Sequence, residues 1–521
     1  MSPISRRKLV QGAAAGGMAL GAGGVLAACD SGGDSGEQST SGPPRRGGTL
    51  TAGLTGGSSA DSLDPNLPVS NTDYARLTNL YDSLVWQDAK AQPYLRVAEE
   101  VTPNKDATVW TIRLRKGVMF HDGKEATADD LIFSLKRVVD PKAPGIAANA
   151  LHGLQTSGLR KLDRYTVSLP FERPYSTLLQ GLATVTTVYL VPVGFDPKRP
   201  VGTGPFKYVS FTPGQRSVFD RWDQYWDDPL PYVDKLVMVN YADATSQVNA
   251  LLSDQADVIN LLSQDVLDAI SSGGKKTVIS PGGGWNPFTM RVDVAPFDDI
   301  RVRQALRLVV DRPKMLDVVF GGHGTLGNDV FGIWSPEYDK SLPQREQDIE
   351  QAKSLLKAAG QEGLTVELVT ADIAQGVVAM AQLFAQQASA AGIKVKLRKV
   401  TVTEFFGPNY KKWAFAQDYW YYQAYFAQVN LANLPTSPYN ETHFDDPRYN
   451  KLYEQALATL DESKRTEISR DMQKISYDGD GYIIPLFPAV IDAHAPNVHG
   501  LVKSRTGASL NNHDFRSLWL A

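Results

Sequence analysis

Hydrophobic and polar positions alternate along the chain in short blocks of two periods. Thr108–Arg115 sets Thr, Trp, Ile and Leu against Val, Thr, Arg and Arg, the two-residue repeat of a strand with one buried face. Thr127-Ala-Asp-Asp130 then reads as a capping box ahead of Leu131, Leu135 and Val138, and Pro141 marks the end of that helix. Val302, Ala305, Leu306 and Val309 follow the i, i+3, i+4, i+7 spacing of an amphipathic helix, and a further helix near 348–359 stops at Gly360. Residues 365–400 predict a strand over Thr365–Thr370, a helix over Gly376–Ala391 capped by Gly392, and a strand over Ile393–Val400, hence a parallel β-α-β unit. Asp446-Pro447 supplies an N-cap and first-turn proline to a helix carrying Tyr449, Leu452, Tyr453 and Ala456. Ile468, Met472 and Ile475 mark the next helix, and Ile483–Phe487 an apolar strand. No fixed-period repeat follows residue 47. The alternation predicts a multi-domain α/β protein with mixed sheets.

The first residues break this pattern. Ser5-Arg6-Arg7-Lys8 is a basic segment with a twin arginine, and 13 of the 17 residues Gly12–Ala28 are Gly or Ala. That stretch is too weakly apolar for a membrane span and reads as an export signal of the twin-arginine type over 1–28. It ends Leu26-Ala27-Ala28-Cys29, similar to the lipobox at which bacterial lipoproteins are cleaved and diacylated. Cys29 is the chain's one cysteine, which excludes internal disulfides and CxxC sites. Residues 30–46 hold no apolar side chain, so 29–46 is expected to be a flexible tether. Losing Arg6, Arg7 and Lys8 takes the net charge from −4 to −7. An acidic globule without a basic excess is not a nucleic-acid binder. At 521 residues it has length for about three domains. Lipid, tether and globule together predict display on the outer face of a membrane.

Catalytic motifs are missing. The seven histidines form no HExxH or comparable spacing, and His494 and His499 read as surface residues rather than metal ligands. Gly322–Gly327 matches GxGxxG, but no helix pattern follows, so it reads as a loop. There is no GxSxG and no P-loop. No cofactor is expected. The most informative stretch is 413–426, WAFAQDYWYYQAYF, with eight aromatics in fourteen positions. Such a run suits either a buried strand or a pocket whose rings stack on planar groups, sugars or cations.

Several segments together resemble the extracytoplasmic solute-binding proteins, family 5, of peptide/nickel-type ABC importers. They are Ser62-Leu-Asp-Pro65, Asn79–Val85 (similar to the family's following helix), Val109–Arg137, Val201-Gly-Thr-Gly-Pro-Phe206, Phe297–Lys314, Ala352–Gly360 and Asn440–Ala456. The resemblance covers nearly all of 47–521 in the right order. It implies a two-lobed periplasmic-binding-protein-like fold, of the large three-domain type II cluster. Domain I would comprise 47–85, 199–290 and 491–521, domain II 86–198, and domain III 291–490. Hinges would lie near 284–292 and 486–493, and domains I and III would grip the solute with domain II peripheral. The implied function is to capture a solute, most naturally a peptide or peptide-like one, and deliver it to the permease subunits of an importer; the protein would be monomeric and lipid-anchored, and not an enzyme.

Peptide-binding members pair the ligand's α-ammonium with an aspartate where this chain has Tyr425; Asp418 lies seven residues earlier. Without a carboxylate there, burying a free ammonium is costly, which brings modified peptides, oligosaccharides and other organic solutes forward. The expected ligand contacts are Trp420, Tyr422, Gln423 and Tyr425, with Trp285, Asn286 and Phe288 from the hinge-side strand and Thr55 and Gly56 from domain I. A secreted hydrolase and a chemosensory receptor on the same fold are the competing readings.

Overall fold

The computed structural model describes residues 42–184 and 187–521. The signal, the lipobox with Cys29 and most of the tether lie outside them. Three sheets organise the rest. A seven-stranded mixed sheet runs in the order Lys276–Ser280, Val490–His494, Val258–Ile259, Thr49–Thr55, Lys235–Tyr241, Arg216–Arg221, Phe206–Thr212. Its central Thr49–Thr55 strand is parallel to both neighbours and nearly all buried on one face through Leu50, Ala52 and Leu54. A four-stranded antiparallel sheet is built from Ala98–Pro103, Val109–Leu114, Thr166–Pro170 and Arg160–Lys161. A five-stranded sheet orders Lys394–Lys399, Thr365–Thr370, Phe415–Gln417, Phe288–Met290 and Tyr482–Ile483. The chain passes between the seven- and five-stranded sheets twice, over 281–287 and 484–489.

Most periodic segments form the elements they predict. Thr365–Thr370 and Lys394–Lys399 pair in parallel around the helix Val377–Ser389. The helix Ala128–Val138 starts where Thr127 N donates to the Asp130 carboxylate at 2.9 Å. Asp446 accepts from Arg448 N and Tyr449 N and caps Pro447–Leu457.

Four readings change. Asn79–Val85 is not a helix: the helix is Asn71–Leu80, and the chain then turns into the short strand Val85–Gln87. Ile483–Phe487 is not one strand. Tyr482–Ile483 joins the five-stranded sheet, and Leu486–Pro488 pairs instead with Gly324–Leu326. Pro485 between them has no N–H to give a ladder. The pairing makes a strand of part of the glycine-rich 322–327 segment. His494 is buried, its Nδ1 2.9 Å from Ala495 O.

The motif segments meet at one junction. Gly204 N donates to Leu80 O at 3.0 Å, Asp82 N to Thr203 Oγ1 at 3.2 Å, and His121 N to Gly202 O at 2.9 Å. A Cβ on Gly202 or Gly204 would lie 2.1 or 2.5 Å from Leu80 backbone atoms, so only glycine fits there. Burial pulls the pKa of His121 down to about 4, so its ring is neutral. Beside this junction Asp82 receives Arg96 (3.1 Å), Arg516 (3.2 Å), Tyr225 OH (3.1 Å) and Trp226 Nε1 (2.8 Å), all buried or nearly so. This network pins the four-stranded unit, through Arg96, to the C-terminal segment.

Candidate functional site

The first sheet crossing, over 281–287, brings Trp285 up against Trp420. Trp285 and Trp420 exchange backbone hydrogen bonds of 2.9 and 2.8 Å, and their rings stack at 5.9 Å. The stack continues from Trp285 to Phe331 at 5.7 Å and from Phe331 to Tyr425 at 5.4 Å, with Tyr482 edge-on to Trp285. Trp285, at the centre, is 1 % exposed. Trp420, at the end of the column, is partly exposed and its buried Nε1 donates to nothing.

Tyr425 closes the far end of the column, and the remaining expected residues sit in other surroundings. Tyr425 is fully buried at the start of the helix Tyr425–Ala432. Its N donates to Ser335 Oγ at 2.8 Å and its hydroxyl meets Tyr449 OH at 3.4 Å. Phe288 is fully buried against Phe384, 4.6 Å between centroids. Tyr422 is buried with its hydroxyl 3.4 Å from Ser335 Oγ, and Asn286 Nδ2 donates to Gln375 O. Gln423 is buried and lines a small cavity between Asn149–Ala150 and Ala427–Leu431. Thr55 ends its strand half-buried, and Gly56 follows, exposed, with φ +92°.

That loop is held from behind. Asp61 accepts from Ser58 N (2.9 Å), Arg76 Nη1 (2.9 Å) and Asn240 Nδ2 (3.0 Å). Burial pushes the Asp61 carboxyl up, but Ser58 N and Arg76 outweigh it and leave it below the ordinary carboxylate value. The fully buried Arg76 also bonds Asp73 and Ser217.

Two residues have partners that were not foreseen from sequence. Tyr421 reaches away from the column: its hydroxyl donates to Asn71 Oδ1 at 3.0 Å and its ring meets Tyr74 edge-on at 6.4 Å. It thereby ties the aromatic segment to the helix Asn71–Leu80. The two residues lie 350 positions apart, and no spacing signal could pair them. The second is Asp418, whose unforeseen partner is Glu441: the two carboxyls are buried beside each other. Tyr410 OH donates to Asp418 at 2.9 Å, Tyr419 N to Asp418 at 2.8 Å, and Tyr482 OH to Glu441 at 3.3 Å. Burial pushes Asp418 up to about 6; burial and the Asp418 charge push Glu441 well above the ordinary value. Burying two neighbouring carboxyls disfavours a charge on both, so each raises the other's affinity for a proton. Among the described residues no cluster of His, Cys, Asp and Glu is arranged to hold a metal, and no helix is long and apolar enough to cross a membrane.

Two sheets joined by a double crossing, with an aromatic segment of one reaching a helix of the other, define a two-lobed binding protein. The chain belongs to the bacterial extracellular solute-binding proteins, family 5, whose signature matches residues 92–451. The glutathione-binding protein GsiB of Escherichia coli K12 is 23% identical over 483 residues, 88% of this chain and 93% of its own. Among solved structures, DppA from Helicobacter pylori in complex with the peptide STSA superposes with a TM-score of 0.77 at 20% identity, covering 91% of this chain and 98% of its own. AppA from Bacillus subtilis, in complex with a nonapeptide, gives 0.75 at 22% identity over 92% of this chain and 100% of its own. AgaA from A. tumefaciens R10, in complex with agropinic acid, gives 0.77 at 23% identity, covering 91% and 99%. The protein is thus the extracytoplasmic substrate-binding component of an ABC importer, and these relatives are binding proteins.

Proposed function

We propose that this receptor captures a peptide-like solute between the Thr55–Ser58 loop and the 418–423 segment, and delivers it to a permease as a monomer anchored by a diacylglycerol on Cys29. The observation that carries the reading is Trp420: an aromatic face at the end of a rigid stack, with a buried indole N–H that has no partner. Such a donor suits a peptide carbonyl, and the ring suits the solute's flat or apolar parts. Trp285, Tyr422, Tyr425, Phe288 and Asn286 hold this wall in place from behind, while Gln423, Thr55 and Gly56 contribute from its margins.

The named ligands of the relatives, glutathione and two peptides, support a peptide-like solute. A second reading, a non-peptide organic solute, is favoured by two facts. Tyr425 offers no carboxylate, and Asp418 is committed to Glu441 and Tyr410. AgaA, with agropinic acid, shows the fold in complex with such a molecule. Calorimetric titration with glutathione, a free tripeptide, its N-acetylated amide and an oligosaccharide separates the readings. Binding of either peptide or of glutathione, weakened in Trp420→Ala, supports the first. Binding of the oligosaccharide alone supports the second.

A further inference from the structure

Beyond the stacked column, the boundary between the two sheets holds a small cavity of about 20 Å³, lined among others by Asn71, Tyr74, Ser509 and His513 from one side and Tyr421 from the other. We propose that this cavity is a subsite for one small, uncharged group of the solute that both donates and accepts a hydrogen bond, a hydroxyl or a primary amide. The inference rests on the reading that the solute binds between the lobes.

The backbone that builds it is unusual. Leu510, Asn511, Asn512 and His513 have φ of 49°, 58°, 61° and 59°, four successive left-handed residues without a glycine. Outside glycine and asparagine this conformation is disfavoured, and such strain persists only where the surroundings enforce it. Here they do. Leu510 N donates to Asp492 at 2.7 Å; Asn511 accepts from Val502 N (2.9 Å) and donates to Gly500 O (2.8 Å); Asn512 Nδ2 donates to Gln87 O (3.4 Å). His513 itself is fixed by Asn79 Nδ2 on its carbonyl (2.7 Å) and by its own N–H on Ser509 O (2.9 Å). A right-handed path after Ser509 would send this side chain elsewhere.

The turn delivers an imidazole that is only 4 % exposed and whose Nδ1 has no hydrogen-bond partner. A buried polar atom left so costs free energy that a ligand group can recover. Burial holds the ring neutral, its pKa pulled down to about 4, so Nδ1 donates or accepts according to tautomer. Tyr421, which lines the same cavity, donates its hydroxyl to Asn71 and keeps acceptor capacity. No lining residue carries a formal charge, so an ammonium or a carboxylate entering here would lose its hydration uncompensated. The volume admits only a small group of a few heavy atoms.

Formamide and formate are near-isosteres of opposite character, neutral and anionic, and ammonium is the cationic counterpart. The test titrates each into the full-length mature protein with ¹⁵N-labelled histidine and follows the His513 ring nitrogens by NMR. Saturable shifts with formamide, absent with formate and ammonium, are expected. Tyr421→Phe should weaken the formamide effect several-fold while the other histidine signals stay in place. Ser509→Ala, which leaves the strained residues untouched, should weaken it as well. The proposal is overturned if formamide moves nothing, if the charged probes act equally, or if both variants respond as the parent does because the cavity keeps a bound water. The fragments report on the cavity whichever solute the receptor takes, so a failed peptide titration leaves this result readable.

Discussion

Tyr425 and Trp420 stand at opposite ends of one aromatic stack, and their surroundings assign them different work. Tyr425 is fully enclosed by Phe331, Phe426, Tyr449 and the Ser335 hydroxyl. Tyr425→Ala should therefore cost about 3–5 kcal/mol of stability, as for other large buried rings, seen as a lower urea midpoint. Trp420→Ala should cost less stability but weaken solute binding by about tenfold or more, equivalent to 1.4 kcal/mol; unchanged calorimetric affinity would remove Trp420 from the site. That the 413–426 run mattered was legible in its density of rings. Which ring faces where was not, because 418–424 is irregular chain and carries no period to read. Tyr421 in particular shows its role only once Asn71 is beside it.

Among the elements, those whose periodicity and caps agree were legible before the structure: the Thr365–Lys399 unit, the helix behind Asp446-Pro447 and the capping box at Thr127. Elements shaped by distant partners were not. Ile483–Phe487 reads as one apolar strand until Pro485 divides it between two sheets, and the left-handed run at Leu510–His513 depends on Asp492, Val502 and Gln87. Asp492 gives that run a measurable signature. Burial pushes its carboxyl up to about 7, so the folded state holds a proton that the unfolded chain releases near the ordinary value of 3.8. Its contribution to stability is full below that ordinary value and is lost as pH rises from about 4 to 7. Asp492→Asn should flatten the fall in stability across that window, monitored by urea unfolding at a series of pH values. A fall as steep as the parent's would show that Asp492 is ionised throughout.

At the scale of the whole molecule, the units are not independent. Leu151, Tyr175 and Leu182 of the four-stranded unit share one apolar cluster with Phe426, Val429 and Tyr453, so the two groups pack into a common core. Asp82 ties the same unit to the C-terminal segment, and Asp82→Leu, leaving Arg96 and Arg516 short of a buried counter-charge, should destabilise by about 3–5 kcal/mol in denaturant unfolding. Outside the described residues, Cys29→Ala should release the protein from salt-washed membranes, since two acyl chains anchor stably where none does not; membrane retention would contradict lipidation. The central claim is that a solute held between the lobes stabilises their closed arrangement, by as much as its affinity for closed exceeds that for open. Small-angle X-ray scattering tests it most directly, on mature protein freed of solute by unfolding and refolding and then given back its co-purifying solute. The radius of gyration should fall on adding the solute and stay at the larger value in Trp420→Ala at the same concentration. An unchanged radius at saturation would contradict closure.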